Sequence, residues 1–79
     1  MAAVKFVCKV ASKAAHEEIK RRLFAARGAI VREKVYRETS QIFESEMELV
    51  SEGNTLFREV KELGLAQSLY IVPTGPEKN

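Results

Sequence analysis

Residues 42–50 read IFESEMELV, and their alternation decides how the rest of the chain is read. Glu44, Glu46 and Glu48 fall on one face, with Phe43, Ser45, Met47 and Leu49 on the other. A period of two marks a half-buried strand, because successive side chains point to opposite sides. Three like charges in one row then need a reason, and the neighbouring segments supply it.

Residues 3–10, AVKFVCKV, alternate in the same way, with Val4, Phe6, Cys8 and Val10 against Lys5, Val7 and Lys9. The next stretch, ASKAAHEEIKRRLFAARG (11–28), changes to helical spacing. Ser12 stands as its N-cap. Glu17 and Glu18 lie near the start and Lys20, Arg21, Arg22 and Arg27 towards the end, as the helix dipole favours. Gly28 occupies the place of a C-terminal glycine. A second strand, AIVREKVYRE (29–38), leads through the turn TSQ (39–41) into the acidic strand. SEGNT (51–55) then breaks the pattern, with Asn54 as an N-cap. TLFREVKEL (55–63) places Leu56, Phe57, Val60 and Leu63 at helical spacing before Gly64, and AQSLYIVP (66–73) is a fourth strand stopped by Pro73.

The element order is β-α-β-β-α-β, an α+β class. Right-handed crossovers make it a ferredoxin-like sandwich: an antiparallel sheet of order 4-1-3-2 with two helices on one face. The first and third strands become central neighbours, and the glutamate row lies on the open face beside Lys5 and Lys9. The second strand adds Arg32 and Lys34 on the far side if its outward set is Ile30, Arg32, Lys34 and Tyr36. A positive, a negative and a positive stripe then run side by side, each opposed pair contributing about 0.2–1 kcal/mol. The same parity turns Val31 and Val35 towards the helices with Glu33 between them, which requires a bulge or an edge position at Glu33.

At 79 residues the chain is one domain, spanning 1–73, with a frayed tail over 74–79 where PTGPEKN begins at Pro73. A formal net charge of +2 is too small to point to a polyanion partner. Cys8 is the only cysteine, so no internal disulfide forms and a cytoplasmic setting is expected. No apolar run reaches the roughly 20 residues that span a bilayer, so no membrane insertion is expected. The opening MAAVKFVCKVASK, interrupted by Lys5 and Lys9, does not read as a secretory signal.

The residue inventory excludes most enzyme classes. His16 is the only histidine, placed at the margin of a buried helical stripe of Ala15, Ile19, Leu23 and Ala26, where packing explains it better than catalysis. Cys8 shares a face with Phe6 and Val10 and reads as a small core residue. Zinc needs three or four such ligands, and no glycine-rich phosphate loop is present. The reading assigns no catalytic residue, no metal and no cofactor.

Two surfaces remain. Phe24 lies opposite Ala15 on the polar side of the first helix, and with Lys20, Arg21 and Arg27 it forms a candidate partner surface. The competing expectation is a last turn that rotates Phe24 back into the core. The fourth strand carries no charge, whereas the second is guarded by Arg32, Glu33 and Lys34, so Ser68 and Tyr70 mark a candidate self-association edge. RNA binding on the sheet face is disfavoured because the carboxylate row repels phosphate and Tyr36 and Tyr70 sit on outer strands. The alternative to a protein-contact domain is an RNA accessory domain using the basic first helix.

The stretches KFVCKVASKAAHEEIKRRLFAARGAIVREKVY (5–36) and FREVKELGLAQSLYIV (57–72) resemble the ACT-like group of small regulatory domains. They are also similar to cytoplasmic tail domains of some bacterial membrane transport proteins. The resemblance implies a non-enzymatic regulatory domain that pairs with copies of itself, as a homodimer or larger. It implies further that some members hold an amino acid or other small effector between copies. No ligand residues are carried over.

Overall fold

The computed structural model describes residues 3–73. Its elements are β1 (Ala3–Val10), α1 (Lys13–Ala25), β2 (Ala29–Glu38), β3 (Phe43–Glu52), α2 (Thr55–Glu62) and β4 (Ser68–Val72). The sheet order is β2-β3-β1-β4, every neighbouring pair is antiparallel, and both helices pack on one face. This is the ferredoxin-like arrangement expected from the element order. The tail expected over 74–79 lies outside the described residues.

The core forms where the period-two and helical patterns meet. Phe6, Cys8 and Val10 of β1 and Met47 and Leu49 of β3 pack against Ile19 and Leu23 of α1 and Leu56 and Val60 of α2. Phe57 meets Phe6 edge to face at 5.5 Å. Each large side chain taken fully from water stabilises the fold by roughly 1.5–3 kcal/mol, and truncating Leu23 to alanine would cost about 2–5 kcal/mol.

The ends of α1 explain its length. The Ser12 hydroxyl accepts from the Ala15 N–H at 3.3 Å. At the other end the Gly28 N–H donates to the Leu23 carbonyl at 2.8 Å and the Arg27 N–H to Phe24 at 3.1 Å, the paired bonds of a Schellman stop. The left-handed residue of that stop is Arg27 (φ 58), not the glycine. Gly28 serves another purpose, since a Cβ there would lie 2.6 Å from the Val50 carbonyl oxygen and collide with the Leu23 side chain. Position 28 is thus small to let α1 turn onto the sheet. At α2 the N-cap residue Asn54 makes no side-chain cap bond, while Gly64 (φ 65) takes the left-handed place.

Strand β2 departs from strict alternation. Its register against β3 slips between Ile30 and Arg32 and again between Val35 and Arg37, so Val31 and Tyr36 are the extra residues of two bulges. Ile30 pairs with Leu49 and packs on the core, so it does not belong to the outward set; Arg32 and Lys34 do. Glu33 occupies an edge strand and lies outside either bulge. Val31 and Val35, expected under the helices, are 50% and 44% exposed, because α1 packs on β3 and β1 and reaches β2 chiefly through its polar side chains to Glu33 and Glu38. Strand β4 begins at Ser68, two residues later than its sequence pattern, and β3 continues to Glu52. Phe24 stays 60% exposed, so the last turn of α1 does not carry it back into the core.

Candidate functional site

The open face has the three-stripe charge pattern. Glu46 of β3 stands between Lys9 of β1 and Lys34 of β2, and Glu44 stands opposite Arg37. Glu48 holds Lys5 at 3.7 Å and Arg32 at 3.6 Å, one from each side. The Tyr36 hydroxyl donates to Glu46 at 2.5 Å, and the Lys34 ammonium lies 5.1 Å from the centre of the Tyr36 ring. That hydrogen bond, chiefly, holds the Tyr36 phenol above its usual pKa. The glutamate row is therefore occupied by its own neighbours. Among the described residues no group of three or more His, Cys, Asp or Glu converges as a metal site would.

The other polar cluster lies beneath α1 and was not assembled from sequence. His16, placed at the margin of the helical stripe, is 2% exposed. Its Nδ1 lies 2.7 Å from the Ser45 hydroxyl of β3 and its Nε2 lies 2.6 Å from the Glu33 carboxylate of β2. Lys20, one turn along, donates to the same Glu33 oxygen at 3.0 Å, and Phe43 meets the imidazole edge to face at 5.3 Å. Nε2–H donates to the Glu33 carboxylate, and the Ser45 hydroxyl completes the pair at Nδ1. Burial pushes Glu33 up, but the hydrogen bonds from Lys20 and His16 outweigh it and hold the carboxyl below its usual pKa.

A serine, a histidine and a carboxylate in hydrogen-bonded sequence resemble a nucleophile relay. Ser45 is 3% exposed on the helix side of a central strand, its hydroxyl turned to the equally buried imidazole, and a nucleophile needs an open approach that this side chain does not offer. The cluster joins α1, β2 and β3 and acts as a clamp. The one signal available in the sequence was Glu33, a charge among helix-facing residues of β2 that needed a partner.

Cys8 is fully buried, and its thiol is pushed up to about 11, mainly by burial, with a backbone hydrogen bond from Met47 opposing and Glu46 adding to the rise. It remains a thiol at any physiological pH.

The candidate partner surface on α1 is less basic than its sequence. Lys20 is held by Glu33, Arg21 and Arg22 both bind Glu18, and Arg22 also reaches Glu59 at 3.3 Å. Hydrogen bonds from Arg21 and Arg22 hold Glu18 below its usual pKa. Phe24 and Arg27 remain exposed, on the side and at the end of the helix, and the four residues do not converge on one pocket. At the opposite edge Ser68 pairs with Lys9 and Tyr70 with Val7, so both point to the open face. Tyr70 is 52% exposed, and Ile71 on the helix side of the same strand and Leu63 at the end of α2 are about half exposed as well.

No protein-family model matches the sequence, and no curated protein matches it. Solved structures match the fold. The divalent cation tolerance protein CutA1 from Thermus thermophilus is 21% identical with a TM-score of 0.50, covering 99% of this chain and 88% of that one. The periplasmic divalent cation tolerance protein CutA from Archaeoglobus fulgidus is 15% identical, TM-score 0.53, covering 99% and 87%. GqqA, described as a novel type of quorum quenching acylase, is 20% identical with a TM-score of 0.56 over 94% of this chain; the chain spans 30% of its length. At these identities the likeness is one of fold. No helix among the described residues is long and apolar enough to cross a membrane.

Proposed function

We propose that this chain is a non-enzymatic regulatory or assembly domain that acts through protein–protein contacts and self-associates through the edge of β4. The observation that carries the reading is that edge itself. SLYIV contains no charge, its register is unbroken, and Tyr70 on the open face and Ile71 on the helix face are each about half exposed. Unpaired strand edges without charge, proline or bulge accept another strand. The ACT-like pattern supports the same class of role, and the clamped, inaccessible serine argues against hydrolysis.

A two-fold axis beside Tyr70 would set two β4 strands antiparallel and extend the sheet across both copies. Burying the exposed halves of Tyr70 and Ile71 in each copy gives roughly 1 kcal/mol per side chain. Association costs about 4–15 kcal/mol in lost freedom. The dimer is therefore weak and dependent on concentration. Phe24 stands apart from this edge and serves a separate partner. The nucleic-acid alternative loses ground because all four cations of α1, Lys13, Lys20, Arg21 and Arg22, already hold carboxylates.

Light scattering across a range of protein concentrations tests the reading. Wild type should move from monomer towards dimer, and Ser68→Lys or Tyr70→Lys should remain monomeric with an unchanged circular dichroism spectrum. A wild-type protein that stays monomeric at millimolar concentration removes the proposal.

A further inference from the structure

The acids of β2 and its cations are sorted to opposite sides. Glu33 and Glu38 both turn to the helix layer, Glu33 held by His16 and Lys20 and Glu38 by Lys13 at 2.9 Å. Lys13 is in turn held above its usual pKa, first by its hydrogen bond to Glu38. Arg32, Lys34 and Arg37 are left on the open face of an outermost strand in which every residue but Ile30 is exposed. Among the described residues no strand lies beside its outer backbone edge. Val31, Val35 and Tyr36 add exposed apolar surface along the same edge.

The inner neighbour shows what complements these cations. Strand β3 sets Glu48 opposite Arg32, Glu46 opposite Lys34 and Glu44 opposite Arg37. A strand on the outer flank would meet the same three cations from the other side. Arg32 and Lys34 are two residues apart, close to 7 Å along a strand, which matches acids at alternate positions.

We infer that the β2 edge is a docking site for an extended acidic segment of a partner protein, with carboxylates at every second position and apolar residues between. A second copy paired β2 on β2 does not fit, because it would bring Arg32, Lys34 and Arg37 against one another, and the β4 edge of a second copy carries no acid to meet them. A nucleic-acid strand fits less well, because it has no peptide N–H and C=O groups to pair with the outward backbone of β2. The bulges at Val31 and Tyr36 limit regular pairing to the stretch between them, so charge carries most of the contact. This edge is independent of self-association at β4.

The probe is a capped synthetic peptide with the sequence of residues 43–50, FESEMELV, compared with one in which its three glutamates are lysines. Amide NMR shifts of the domain are followed during titration. The acidic peptide should shift the amides of residues 31–37, and raising salt from low to physiological strength or above should weaken it roughly tenfold. The lysine peptide should not bind. The domain with Lys34→Glu and Arg37→Glu should lose the acidic peptide and gain the basic one. The neutral pair Lys34→Gln and Arg37→Gln, which adds no repulsion against β3, should lose the acidic peptide alone. Absence of shifts at millimolar peptide, or shifts confined to β4, overturns the inference. A single-stranded RNA oligonucleotide that shifts residues 31–37 at lower concentration than the acidic peptide overturns it as well, and assigns the edge to nucleic acid.

Discussion

The two edges of this sheet solve the same problem in different ways. Strand β2 is ten residues long, bulged twice, charged along its open face and pinned to α1 through side chains. Strand β4 is five residues long, unbroken in register and uncharged, and attaches through its ladder with β1 and the bond from the Gln67 N–H to the Lys9 carbonyl at 2.7 Å. Both leave backbone groups facing outward, yet only β2 carries the charges and kinks that discourage a like strand. An edge can therefore be selective as well as protected. In the proposed assembly the cations of β2 attract an acidic strand and the neutral edge of β4 takes a second copy.

Removing the clamp should separate the two edges most clearly. His16→Ala deletes a buried ring and leaves Ser45 and Glu33 without their partner, which should cost roughly 2–4 kcal/mol in chemical denaturation. Hydrogen exchange in the variant should rise first in β2 and the adjoining half of β3, while β4 keeps its protection. Equal loosening of both edges would show that the clamp supports the whole core and does not act on β2 in particular.

A smaller effect is expected from Glu33 and should depend on pH. Its folded pKa lies below the ordinary 4.5, so its contribution is complete above the unfolded value and is lost as pH falls through the folded one. Glu33→Gln should be less stable than wild type by about 1–2 kcal/mol at neutral pH, since it loses charged hydrogen bonds from Lys20 and His16. Denaturation at stepped pH should show the gap closing below about pH 4. A gap that persists to pH 2 would mean that shape, not charge, holds β2 to α1.

The weakest expected coupling is across the open face. Lys9 and Glu46 stand opposite each other on β1 and β3, and Glu46 also serves Tyr36. Reversing Lys9 or Glu46 alone should cost up to about 1 kcal/mol, and reversing both should recover part of the loss. If the double reversal equals the sum of the singles, the stripes are a solvated surface pattern with no energetic coupling between β1 and β3.

Local patterns in the chain were enough to read the element order, the sheet order and most of the core. Alternation in residues 3–10 and 42–50 and helical spacing around Ile19, Leu23, Leu56 and Val60 each belong to one short segment, and such periods survive without knowledge of neighbours. The uncharged fourth strand and the guarded second were visible for the same reason. The parity of β2 was not. A bulge inserts a residue only relative to a partner strand, so AIVREKVYRE alone could not reveal that Ile30 turns inward or that Val31 and Tyr36 slip the register.

The clamp depended on tertiary structure still more. A helical wheel places His16 at a margin, but its burial comes from Phe43 and Ser45 on β3 and Glu33 on β2, residues 17–29 positions away that only the folded sheet brings together. The same holds for the basic helix. Its cations are plain in the sequence, yet their capture by Glu33 and Glu59 required β2 and α2 to fold back against α1. Period and composition determined which segments form strands and helices and which faces they bury. Packing between distant segments decided which charges are spent inside the molecule and which remain on its edges.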